Sequence, residues 1–180
     1  VEHAVMTVRN LKNDNLHLIV AAFLHDIGKP HVAREKNGRL VFYGHAVKSA
    51  EIATRLLSEL GYSIEEIEII TFYVRHHDDF ISYVLPNGVR NLSNPYLVVI
   101  NEENIGKYIS VIKSRYTTFV ERYGVRNLLI NLLDLCEADV RSQSEQVYMN
   151  GVVVDSMSNK LMKIEAIRKE KNKVLHGEYY

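Results

Sequence analysis

Apolar residues recur at intervals of three and four along most of this chain, a period that suits α-helices and leaves little room for sheets. Leu16, Ile19, Val20, Phe23 and Ile27 form the first such stripe, which Gly28 and Pro30 stop. Ala46, Ala50, Ala53, Leu57 and Leu60 form another, ended by Gly61, with His45 at its start. Ser63 and Glu66 make a capping-box pattern that opens a helix through Ile67, Ile70 and Val74 towards His76 and His77. Ile105, Ile109, Ile112, Tyr116, Phe119 and Tyr123 outline a single helix closed by Gly124, and Leu128, Leu132, Leu135 and Asp139 share one face of the next. The last helix starts near Ser158, with Leu161, Ile164 and Ile167 on one side and Lys160, Lys163, Arg168, Lys169 and Lys171 elsewhere. Two interruptions stand out. Asn37-Gly38, inside Val32 to Phe42, suits a type I′ hairpin turn. Pro86-Asn87-Gly88 and Asn94-Pro95 mark a loop-rich stretch with one short apolar run, Tyr96 to Ile100. The expected architecture is all-α, a helical bundle with one small β-hairpin, in a single domain of 180 residues.

Charge narrows the function classes. Lysine plus arginine and aspartate plus glutamate both number 22, so net charge gives no support to general adhesion to nucleic acid. The basic residues of the last helix read as a solvated face, with guidance of an RNA backbone as the alternative. The single cysteine, Cys136, lies in an apolar run and reads as a buried thiol. Apolar runs such as Ile19 to Leu24 fall far short of the roughly 20 residues needed to span a bilayer, so a soluble, cytoplasmic protein is expected. The start at Val1, with a notable histidine already at His3, suggests a domain cut from a longer parent.

Two aspartates break the hydrophobic pattern. Asp139 sits four residues after Leu135, and Asp26 sits three after Phe23, each in register with an apolar stripe. A bare carboxylate in such a position costs several kcal/mol, so both call for a partner. A helix cap, a salt bridge or a surface position offers one kind of answer. The histidines offer another, since His3, His25, His45, His76 and His77 all fall near helix ends, where several helices converge their side chains on one point. Imidazoles and carboxylates suit Mn²⁺, Fe²⁺, Ni²⁺, Zn²⁺ or Mg²⁺. His17, His31 and His176 read as ordinary core or surface residues.

The block Ala21-Ala22-Phe23-Leu24-His25-Asp26-Ile27-Gly28-Lys29-Pro30, followed by Gly44-His45, His76 and Glu137-Ala138-Asp139, resembles the signature of the HD superfamily of metal-dependent phosphohydrolases. Within that superfamily the chain looks most similar to the HD domain appended to bacterial tRNA nucleotidyltransferases, relatives that hydrolyse 2′,3′-cyclic phosphates and 2′-nucleotides and act as phosphatases. Tandem His76-His77 is also similar to the cyclic di-GMP phosphodiesterase branch, but Asp78-Asp79-Phe80 follows and no Gly-Tyr-Pro appears, which disfavours it.

The resemblance implies one or two divalent ions, with His3, His25, Asp26 and Asp139 binding the core metal. His45 and His76 complete a second metal site or contact the phosphate, and His77 competes with His76 for that part. With two ions, Asp26 is the natural bridge. Catalysis then falls to His25, Asp26, His45, His76 and Lys29, with water acidified by the metal attacking phosphorus in line with the leaving oxygen. Lys29 contacts substrate phosphate or is a solvated lysine at a helix C-terminus. Arg75 and Arg141 play the same substrate-binding part or form surface salt bridges. The expected substrate is a nucleotide or RNA phosphate ester, with a tRNA delivered through a parent protein as one source. Competing expectations are a nucleoside triphosphohydrolase, a non-catalytic HD binding module and a di-iron oxygenase.

Overall fold

The computed structural model describes residues 1–80, 82–84, 90–92, 99–149 and 151–176. The predicted turns at Pro86-Asn87-Gly88 and Asn94-Pro95, and most of the run Tyr96 to Ile100, lie outside the described residues. Backbone packing divides the chain into two compact units, residues 1–78 and 79–180. Helices dominate both, as the apolar period predicts.

The first unit holds α1 (Glu2–Asn10), α2 (Leu16–Leu24), α3 (Lys29–Val32), β1 (Arg34–Lys36), β2 (Arg39–Val41), α4 (His45–Glu59) and α5 (Ile64–His76). Local chemistry sets the boundaries. The Asn15 side chain accepts the Leu18 N–H at the start of α2. Ser63 and Glu66 close the reciprocal capping box of α5, each satisfying a backbone N–H that the first helical turn leaves unpaired. β1 and β2 pair antiparallel around Asn37 and Gly38, whose φ values of 53° and 71° are the two left-handed residues a type I′ turn requires. α4 packs on α5 and α5 on α2. The small Ala50 and Ala53 of α4 are fully buried, which lets its backbone lie close to its neighbours.

The face of α2 differs from the expected one. Leu16 and Phe23 are 65% and 52% exposed, whereas Leu18, Ala21, Ala22 and Leu24 are buried. The ends of the stripe read from Leu16 through Phe23 therefore face solvent, with Ile19 and Val20 half-buried between them, and the core takes the alanine-rich face that packs tightly. The helix also ends at Leu24, and residues 25–28 turn through i→i+3 bonds, Ile27 N–H to Leu24 O and Lys29 N–H to Asp26 O. Asp26 reaches the interior through this turn and not by continuing the stripe.

The second unit holds β3 (Ser82–Val84), β4 (Arg90–Leu92), α6 (Glu102–Arg115), α7 (Thr117–Tyr123), α8 (Val125–Arg141), β5 (Gln146–Met149), β6 (Val152–Asp155) and α9 (Ser156–Val174). α9 packs on α6 and α8. The helix expected to run unbroken to Tyr123 is two helices. Tyr116 leaves helical geometry at φ −126°, ψ 41°, and the Thr117 hydroxyl bonds back to the Lys113 and Ser114 carbonyls, satisfying the first helix's end locally. Three two-stranded antiparallel sheets occur among the described residues where one hairpin was expected.

α9 is only in part a solvated basic face. Lys160, Lys163 and Lys171 are buried, and Arg168 bridges Asp134 and Glu137 of α8. Arg168 is thus drawn into pairing within the unit, whereas Lys169 stays exposed. Cys136 is buried, as expected. Among the described residues no helix is long and apolar enough to cross a membrane.

Candidate metal centre

The first unit brings five of the expected residues to one point. His3 lies in the first turn of α1, His25 and Asp26 in the turn that follows α2, His45 at the first position of α4, and His77 at the C-cap of α5. Their donor atoms form two triangles. His3 Nε2 and His25 Nε2 are 3.2 Å apart and lie 3.4 and 3.3 Å from Asp26 Oδ2. His45 Nε2 and His77 Nε2 are also 3.2 Å apart and lie 3.4 and 3.7 Å from Asp26 Oδ1. Ligands about 2.1 Å from one cation stand roughly 3.0 to 3.4 Å from each other, depending on coordination geometry. Both groups are close enough to share an ion, and Asp26 belongs to each.

The backbone selects which ring nitrogen faces inward. Carbonyl oxygens only accept, so Nδ1–H of His25, His45 and His77 must donate to Ala22 O (2.7 Å), Phe42 O (3.0 Å) and Val74 O (2.7 Å). In each case the carbonyl belongs to the residue three positions earlier. The neutral ring then presents its lone pair at Nε2, the arrangement found when a second hydrogen bond orients a metal-ligating histidine.

This protonation pattern leaves a conflict that a cation resolves. Between His45 and His77 both Nδ1 protons are committed, so with both rings neutral the 3.2 Å Nε2 contact sets lone pair against lone pair. Asp26 Oδ1 is buried beside them with no hydrogen-bond partner. Burial above all, with His77 and Lys29 adding to it against the opposing pull of Asp26, brings the His45 imidazole pKa down to about 4. His45 is thus a neutral donor at pH 7. Burial raises the Asp26 pKa, but its interactions with the neighbouring His25, His77 and Lys29 outweigh that, holding the carboxyl far below the usual range. The donor set and the orphaned oxygen both fit divalent cations.

The tandem histidines part company here. His77 joins the second triangle, whereas the buried His76 ring packs on Phe72, with centroids 4.9 Å apart, and stands in neither group of donors. His77→Ala is expected to lower bound metal by at least half, while His76→Ala retains it, with elemental analysis of the purified variants as the check.

Lys29 places Nζ 2.6 Å from Asp26 Oδ2. Arg75 is half-buried on α5. Arg141 pairs with Glu137 one turn earlier on its own helix, at 2.8 Å, the salt bridge that was the alternative to substrate binding. Asp139 is buried on α8 in the second unit, where its Oδ1 accepts from Gln143 Nε2 at 3.1 Å. Its part as a ligand remains the expectation drawn from motif order. Of the histidines set aside, His17 is half-buried on α2, and His31 and His176 are exposed.

Sequence reasoning took Gly28 for a helix stop and missed its second task. Its N–H donates to Ser49 Oγ at 2.9 Å, and a Cβ built on it would lie 2.5 Å from Ser49 N, 2.8 Å from His45 O and 2.9 Å from the Lys48 carbonyl carbon. Only glycine lets the turn carrying His25 and Asp26 press against the backbone of α4, the helix that carries His45. The available signal was the glycine two residues after the His-Asp pair, which the turn alone already explained.

A family model described as HD domain matches residues 1–142. No curated protein and no solved structure matches the chain.

Proposed function

This chain belongs to the HD domain family, and on that premise we propose that it is a phosphohydrolase working with two divalent cations on nucleotides or RNA ends, as a 2′,3′-cyclic phosphodiesterase and phosphomonoesterase. The observation that carries the metal-dependent reading is the sharing of Asp26: each of its carboxylate oxygens faces a separate pair of imidazole Nε2 atoms. One ion would be held by His3, His25 and Asp26 Oδ2, the other by His45, His77 and Asp26 Oδ1. When bound, such ions neutralise charge on the phosphoryl oxygens and acidify water.

The chain's own residues do the rest. The Ala22, Phe42 and Val74 carbonyls hold three imidazoles in the tautomer that offers Nε2 inward. His3, 31% exposed, is the most open of the five and stands on the side from which solvent and substrate arrive, whereas His25 and His77 are closed off from water. Lys29, one-third exposed beside Asp26, supplies positive charge where a substrate phosphate would settle. The narrower substrate class rests on the likeness of Gly44-His45 and Glu137-Ala138-Asp139 to the HD domain of tRNA nucleotidyltransferases.

Elemental analysis, paired with hydrolysis of 2′,3′-cyclic AMP and p-nitrophenyl phosphate, tests this reading. Expected are one to two metal equivalents, loss of both activities on chelation, and recovery with Mn²⁺, Ni²⁺ or Mg²⁺. Folded protein that takes up no metal and hydrolyses neither ester would leave a non-catalytic binding module in its place. Release of pyrophosphate or triphosphate from nucleotides would point to the triphosphohydrolase instead.

A further inference from the structure

Lys29 occupies an unusual position for a solvated lysine. Its Nζ sits 2.6 Å from Asp26 Oδ2, the oxygen that His3 Nε2 and His25 Nε2 also face at 3.4 and 3.3 Å. The same ammonium lies 5.7 Å from the centre of the Phe42 ring, a face that attracts cations. Phe42 is also the residue whose carbonyl holds His45 in its tautomer. One side chain thus spans the shared carboxylate and an aromatic seat next to the second donor group, on a stem only three residues from Asp26.

Building on the metal-dependent reading above, we propose that Lys29 is the resident cation of the unloaded centre, balancing the Asp26 carboxylate until metal arrives and giving way to it. A carboxylate nearly closed off from water needs a positive partner, and without metal Lys29 supplies it. A divalent ion at the first donor group must take the same Oδ2, so it meets the lysine's charge at short range, where attraction to Asp26 and repulsion from Lys29 act together. Lys29 therefore sets the metal affinity of the centre: it stabilises the metal-free fold and raises the concentration of metal needed to fill it. Released from Asp26, its ammonium has the Phe42 face within reach and is free to meet an anionic substrate.

The test is Mn²⁺ titration of metal-free wild-type protein and Lys29→Met by calorimetry, with thermal unfolding of each followed with and without Mn²⁺. Methionine keeps the length of the stem and removes the charge. The variant is expected to bind Mn²⁺ at least about tenfold more tightly and to unfold at a lower temperature than wild type when metal-free. Equal or weaker Mn²⁺ binding by the variant, with wild-type binding intact, overturns the role of Lys29 and leaves the metal centre standing. Uptake by neither protein overturns both. Should Lys29→Met not fold, Lys29→Gln decides by the same criteria.

Discussion

Asp26→Asn is expected to empty both donor groups at once and to lower hydrolysis by on the order of a thousandfold or more, since the charge stabilisation a bound ion supplies amounts to several kcal/mol and each 1.4 kcal/mol is a factor of ten. No other position among the five should behave this way. Loss of His3 or His25 removes a donor facing Oδ2, and loss of His45 or His77 removes one facing Oδ1, but the carboxylate serves both triangles. Asparagine keeps the shape and one oxygen while removing the charge, so the fold should survive, and circular dichroism of the metal-free variant should match wild type. Metal content below a tenth of the wild-type value, alongside intact secondary structure, is the expected result. Retention of full metal and activity would remove Asp26 from the centre and with it the two-cation reading.

Gly28→Ala should be the most damaging change that touches no candidate ligand. The added methyl would meet three backbone atoms of α4 at 2.5 to 2.9 Å, and backbone cannot swing aside as a flexible side chain can. Overpacking of this kind costs about 1–3 kcal/mol. For a chain of this size that corresponds to a drop of roughly 2–12 °C in melting temperature. The specific consequence lies in the site. Relief of the clash requires the turn carrying Asp26 to part from the helix carrying His45, whose Nε2 lies 3.4 Å from Asp26 Oδ1. Metal affinity should therefore fall more than tenfold, where second contacts around metal ligands commonly cost about 10–100-fold. Ser49→Ala is the comparison. It deletes the hydrogen bond to the Gly28 N–H without a clash, and it should lower stability by about 1 kcal/mol and metal affinity far less.

Much of the helical frame was legible because its signals are local. The 3.6-residue period, the Ser63–Glu66 box and the Asn37-Gly38 turn each depend on residues within a few positions of one another. The errors came where a local pattern had more than one solution. α2 is apolar on most sides, so period alone did not show that Leu18, Ala21 and Ala22 would go inward and Phe23 outward. The stripe through Ile105 and Tyr123 is compatible with one helix, and only the geometry at Tyr116 divides it. On α9 the lysines looked solvated because lysine usually is, yet three are buried and Arg168 is spent on Asp134 and Glu137.

The sequence by itself determined the class of fold and the kinds of donor available, since both follow from residue type and short-range spacing. It also placed the donors at helix ends, because apolar stripes and their stop signals leave the histidines there. Tertiary structure alone decided which donors meet. His3 and His25 are 22 residues apart and His45 and His77 are 32 apart, and nothing in their local surroundings encodes a 3.2 Å approach. That approach is produced by α1 packing on α2 and by α2 and α4 packing on α5, by a glycine that lets a turn touch a helix backbone, and by carbonyls that turn three rings the same way. His77 was separated from its neighbour His76 on the same grounds. One position along a helix end rotates a side chain by about 100°, enough to send one imidazole to Asp26 and the other against Phe72.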